Sequence, residues 1–154
     1  MKKSLLITSA LIIISCVGAK NSNYRDQLIG SWEFVQTQDL NGNKLERYEG
    51  SFGTVNAIGP KLIYNKDSTY NKVFTPKNTD KGKWRFNEKT MTIEHDLFID
   101  STTWVGQDLI KRGLAEKKKD GNYYELIEDK VLKIEDGKIY IDNRGLIDVF
   151  KKVK

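Results

Sequence analysis

The chain has 154 residues, enough for one domain with a substantial core. One cysteine excludes a disulfide framework, and one histidine beside it leaves no zinc-ligand spacing. The formal net charge is +5, but basic and acidic residues are interspersed, which indicates a solvated surface rather than a nucleic-acid footprint.

Lys2 and Lys3 begin the chain, and Ser4 to Ser15 is almost wholly apolar. That run is too short to span a bilayer, which takes about 20 residues. A basic start, a short apolar stretch and a small residue at its end describe a secretory signal peptide. Ile13-Ile14-Ser15-Cys16 resembles the bacterial lipobox, in which the chain is cut before the cysteine and the thiol becomes a thioether carrying diacylglycerol. A thiolate suits that step because a serine hydroxyl is a far poorer nucleophile. The organisation expected is a lipoprotein signal peptide over 1–15, a lipidated Cys16 with a tether over 16–23, and a folded domain over 24–154. The expected location is the cell envelope, anchored to a membrane by the lipid. Val17 in place of an aspartate after Cys16 favours the outer membrane over the inner and leaves the face open.

Tyr24 to Ile29 reads as a short helical turn. Alternating runs follow at 31–37, 61–66, 68–75, 82–87, 90–96, 122–128, 130–135, 138–142 and 146–153. Lys66-Asp67, Asp136-Gly137 and Asn143-Arg144-Gly145 are hairpin turn signals. "GSFGTVNAIGP" (50–60) lacks the ending of a phosphate loop and reads as a flexible loop. Thr103 to Arg112 is a second short helical candidate. Lys117-Lys118-Lys119 beside Asp120-Gly121 reads as a hairpin tip, with contact to an anionic lipid or phosphate as the alternative. Short strands at near-even spacing, with two prolines in the chain, predict an all-β antiparallel meander. About eight such strands can close into an up-and-down barrel and so abolish their edges; an open sandwich is the alternative.

"YRDQLIGSW" (24–32) places Gly-x-Trp, Gly30 and Trp32, at the entry to the first strand. This resembles the opening motif of lipocalins and the wider calycin group. The resemblance implies that the glycine permits close backbone approach and that the tryptophan plugs the closed end of the barrel. It also implies that a basic residue of the last strand, here Lys151, Lys152 or Arg144, covers the ring. The second lipocalin motif, Thr-Asp-Tyr, is not matched by "NTDKG" (78–82). "LIGSWEF", "GPKLIYNKDSTY", "TIEH" and "DVFKKV" are similar to the lipocalin-like domain of unknown function in small bacterial lipoproteins, a resemblance covering most of residues 24–154. It implies a small ligand-binding barrel on a lipid anchor.

His95 shares a strand face with Met91 and Ile93, so it points inward. It could contact a ligand, ligate a haem or act as a base, and the structural alternative is a core histidine bonded to a tyrosine or a backbone carbonyl. Trp84, Phe86, Tyr70, Phe74 and Trp104 either line a cavity or fill the core, with Trp104 in an irregular stretch that suits a barrel mouth. A lone histidine among many serines defines no catalytic triad, and no metal or other cofactor is expected. The expectation is therefore a monomeric, non-enzymatic barrel holding a small, mostly apolar molecule, with His95, Trp84, Trp104, Tyr70 and Phe86 as its contacts. The alternative is a barrel filled by side chains that works through a protein partner or inhibits one.

Overall fold

The computed structural model describes residues 23–50 and 53–153. The expected signal peptide, Cys16 and the tether up to residue 22 lie outside them. A short helix, α1 (Tyr24–Leu28), is capped by the Asn23 side chain, which accepts from the Asp26 backbone N–H. The chain then passes through β1 (Gly30–Gln38), β2 (Lys44–Leu45), β3 (Arg47–Gly50), β4 (Gly53–Asn56), β5 (Lys61–Tyr64), β6 (Thr69–Thr75), β7 (Asn78–Asn87) and β8 (Thr92–Ile99). Helix α2 (Trp104–Lys111), β9 (Glu116–Lys117), β10 (Tyr123–Glu135), β11 (Lys138–Asn143) and β12 (Leu146–Val153) complete it.

Pairing runs β1-β5-β6-β7-β8-β10-β11-β12 and returns from β12 to β1, every pair antiparallel. This is the expected eight-stranded closed barrel, and closure satisfies the edge groups that an open sheet would expose. Strands β3 and β4 form a separate two-stranded sheet. The glycine-rich stretch read as a loop is therefore in part a hairpin. Among the described residues, no helix is long and apolar enough to cross a membrane.

Turn chemistry sets the register. Asp136 and Gly137 (φ 51° and 68°) join β10 to β11, and Arg144 and Gly145 (φ 53° and 90°) join β11 to β12. Two successive residues at positive φ match the right-handed twist of a hairpin. β10 is a single strand where the sequence pattern suggested two. Its register shifts between Val131 and Lys133, so the inward residues change from Ile127, Asp129 and Val131 to Ile134. An alternation that changes phase at a bulge reads in sequence as two strands.

The connections divide the barrel into two ends. Helix α1 and the β5–β6, β7–β8 and β10–β11 turns lie at one end. The long β1–β5 and β8–β10 connections, with the β6–β7 and β11–β12 turns, lie at the other. Between them sits a core that includes Leu28, Trp32, Leu62, Tyr64, Tyr70, Trp84, Ile93, Val131, Ile139 and Phe150, all buried.

Candidate functional site

The end covered by α1 is sealed. Trp32 is 1% exposed and its indole N–H donates to the Leu28 carbonyl at 2.7 Å. The Lys152 ammonium stands 5.1 Å from the Trp32 ring centroid and donates to the Gln27 carbonyl at 2.7 Å. Of the three basic residues the resemblance allowed, Lys152 is the one on the ring, because it is the cross-strand partner of Trp32. Gly30 has φ 128°, and a Cβ there would lie 3.1 Å from Lys152 Cε. Both the backbone angle and the close approach call for glycine.

The middle of the barrel is an aromatic layer around His95. Tyr64 and Trp84 have ring centroids 4.8 Å apart, and Tyr70 and His95 4.6 Å. His95 Nε2 lies 3.0 Å from the Tyr64 hydroxyl. Its buried Nδ1 meets no hydrogen-bond partner within normal range among the described residues and lies 3.5 Å from Asp129 Oδ2, a carboxylate that also meets Lys72 Nζ at 3.2 Å. Burial, opposed in part by the Asp129 charge, lowers the His95 pKa to about 4. The ring is thus neutral at neutral pH. With its proton on Nδ1, facing Asp129, it leaves Nε2 to accept from Tyr64. Burial first, then the Asp129 charge, pushes the Tyr64 hydroxyl well above its ordinary pKa, so it remains a donor.

Above this layer, at the end opposite α1, a cavity of about 260 Å³ opens. Leu62, Phe74, Ile141 and Phe150 give it apolar walls, and Ile58, Gly59 and Pro60 stand at its rim. Lys72, Asp129 and Asp148 face it with charge. Asp148 accepts from the Thr37 hydroxyl at 2.6 Å and from the Asn143 amide at 3.1 Å. Thr37 is 1% exposed, so this carboxylate is held from behind by a buried donor. Such a chamber suits a molecule with an apolar flank and one polar group.

The residues expected to touch a ligand divide. His95, Trp84 and Tyr70 come together, but as the packed layer under the cavity rather than as its walls. Trp84 donates its N–H to the Asn65 carbonyl at 3.1 Å and carries the Arg25 guanidinium 5.2 Å from its ring centroid. Phe86 packs toward the sealed end, 6.3 Å from the Tyr24 ring. Trp104 opens α2 and is 80% exposed, away from the group. Phe74 alone of the aromatic candidates lines the cavity. Lys72, Asp129 and Asp148 were not singled out from sequence. The available signal was their inward phase: each lies two positions from a buried or inward neighbour, Tyr70, Ile127 and Phe150 respectively. Among the described residues, no three His, Cys, Asp or Glu side chains are grouped to hold a metal ion.

No family model matches the chain, and no curated protein matches it. Among solved structures it is similar to a lipocalin-like protein from Bacteroides uniformis ATCC 8492, with TM-score 0.48 and 14% identity over 82% of this chain and 99% of that one. It is also similar to an uncharacterized protein from Bacteroides eggerthii DSM 20697, with TM-score 0.46 and 16% identity over 81% and 98%. At those values neither likeness carries function, and the fold rests on the closed strand order itself.

Proposed function

We propose that this chain is a lipid-anchored envelope protein whose barrel holds a small molecule at its open end. The observation that carries the reading is the cavity of about 260 Å³ over a packed aromatic floor, with one end sealed by Trp32 and α1. The walls fit the mostly apolar ligand expected from sequence, and Lys72, Asp129 and Asp148 add a polar contact that the sequence reading assigned to His95 or a tyrosine. In this reading the chain is a monomeric binder rather than a catalyst, and the burial of His95 below the cavity, at 1% exposure, supports a structural rather than a catalytic role for that residue. The membrane is met through diacylglycerol on Cys16, on the outer membrane in preference to the inner. Asn23 enters the sealed end, so the anchor holds that end and leaves the mouth free.

Fluorescence of the neutral probe N-phenyl-1-naphthylamine tests the binding half on the whole chain. Intensity should rise on binding. It should fall back in Ile141→Trp, which fills the cavity, and weaken in Phe74→Ala, which trims its rim without opening the core. An unchanged signal in both variants sinks the assignment of the mouth. Metabolic labelling with an alkyne fatty acid tests the anchor half: label should enter the chain and be absent from Cys16→Ser.

A second reading has one observation behind it. Ile58 and Trp104 are 81% and 80% exposed on the two long connections at the open end. Bare side chains of that size suit a protein partner. Trp104→Ala, which lies outside the cavity lining, would then abolish capture of that partner and leave probe binding intact.

A further inference from the structure

One stretch of the barrel's strands has a neighbour on one side only. β10 pairs with β8 from Tyr123 to Lys130. Along its other edge, β9 pairs with Tyr123 and Tyr124, and β11 begins at Val131. Among the described residues no strand stands opposite 125–130 on that side, a slot of about 20 Å at the usual rise per residue. The direction of the backbone groups follows from alternation. The Val131 N–H donates to the Met91 carbonyl, on the β8 side, and the Asn122 carbonyl accepts from the Lys118 N–H, on the other. Ile127 and Asp129 therefore bond toward β8, and Leu126 and Glu128 aim their N–H and C=O into the slot. β9 does not continue over them. Leu114 would come next, opposite Leu126, but its N–H is spent on the Leu109 carbonyl at the end of α2.

A second observation is the space beside that edge. A cavity of about 350 Å³ lies on the outer face against Leu126, bounded also by Tyr124, Gly113 and Leu114. Leu114 and Leu126 are both exposed. Glu128, two residues along the same face, is exposed as well. An unpaired strand edge is satisfied by another extended chain, and the side chains beside it set which chain.

A second copy of this protein is a poor occupant. Pairing across a two-fold axis would set Leu126 opposite Glu128 and Glu125 opposite Asp129, a like-charge pair repeated twice. β9 and β11 also flank the slot, so a strand that carries its own sheet neighbours does not fit between them. We propose that the slot takes an extended peptide of a partner protein as an added strand, with an apolar side chain beside Leu126 and a lysine or arginine two residues away beside Glu128.

Amide exchange followed by nuclear magnetic resonance on the isotope-labelled whole chain tests both the edge and its occupant. Without peptide, the Leu126 and Glu128 amides should exchange at least tenfold faster than those of Ile127 and Asp129. The probe acetyl-Thr-Lys-Thr-Val-Thr-amide should bind saturably and slow exchange at Leu126 and Glu128 at least threefold. The same peptide with glutamate for lysine should bind at least fivefold more weakly, and Glu128→Lys should reverse that preference. Methylation of the peptide's lysine and valine amide nitrogens, which removes the donors facing the slot, should abolish binding. Equal exchange at the four amides would show the edge already covered and overturn the proposal. So would a titration that shows no saturation by about 5 mM peptide, undiminished binding of the methylated or the glutamate peptide, or protection that falls on other amides.

Discussion

Trp32 is gripped by its own helix and by the last strand, and each contact has a separable contribution. Lys152→Met keeps the aliphatic stem over the ring but removes the ammonium and its bond to the Gln27 carbonyl. A loss of about 1–2 kcal/mol is expected in urea unfolding. Gly30→Ala should cost a similar amount by a different route, backbone strain at φ 128° and pressure on Lys152 Cε. His95 makes a prediction about pH. Its folded pKa of about 4 lies below the ordinary histidine value, so between those values the unfolded chain holds a proton that the folded chain does not. Stability is therefore full above pH 6.5 and falls as the solution is acidified toward pH 4. The expected loss between pH 7 and pH 5 is about 2 kcal/mol. Urea midpoints across that range should slope in the native chain and flatten in His95→Gln; a flat native profile would show that His95 is not kept neutral by the fold. The same residue shows why a site is harder to read than a core. Alternation places His95 inward, but whether an inward residue walls a cavity or plugs it depends on the depth of its layer.

At the scale of elements, the sequence pattern carried the barrel because its strands alternate and its turns are marked. Asp136-Gly137 and Arg144-Gly145 occupy positive φ where the pattern placed hairpins. What escaped were the places where alternation changes phase. The shift in β10 between Val131 and Lys133 split one strand into two, and the shift in β1 between Phe34 and Gln36 moves the inward face from Phe34 to Thr37. That second shift puts Thr37 behind Asp148, a contact across 111 positions of sequence that no local pattern reveals. The β3–β4 hairpin was missed because glycines mask alternation, and β7 starts early at Asn78 because "NTDK" pairs through backbone with β6 rather than through apolar side chains. Gly82 shows how tightly the pairs are closed. A Cβ at Gly82 would collide with the Asp96 carbonyl oxygen, which belongs to the neighbouring β8 and cannot swing aside. Gly82→Ala should lower thermal stability by at least 1–3 kcal/mol. Gly50→Ala, whose added methyl would meet ordinary contacts at 3.4 Å and beyond, should be close to neutral. Equal melting temperatures for the two variants would contradict the β7–β8 packing described.

On the scale of the whole molecule, the barrel is built in three layers that share work. The sealed end and the aromatic middle are apolar and packed, which supplies stability through burial. The open end keeps charge and space, which a stable core does not need. A fold of this kind can hold a ligand because one end is closed by Trp32 and α1 while the other is reached past Ile58, Gly59 and Pro60. The measurement that tests this most directly is native mass spectrometry of the whole chain purified, in mild detergent, from the cells that make it. A reproducible small extra mass is expected on the native chain, released on denaturation and absent from Ile141→Trp. A bare chain mass in every preparation, or an adduct that persists when the cavity is filled, would contradict a ligand held at the mouth.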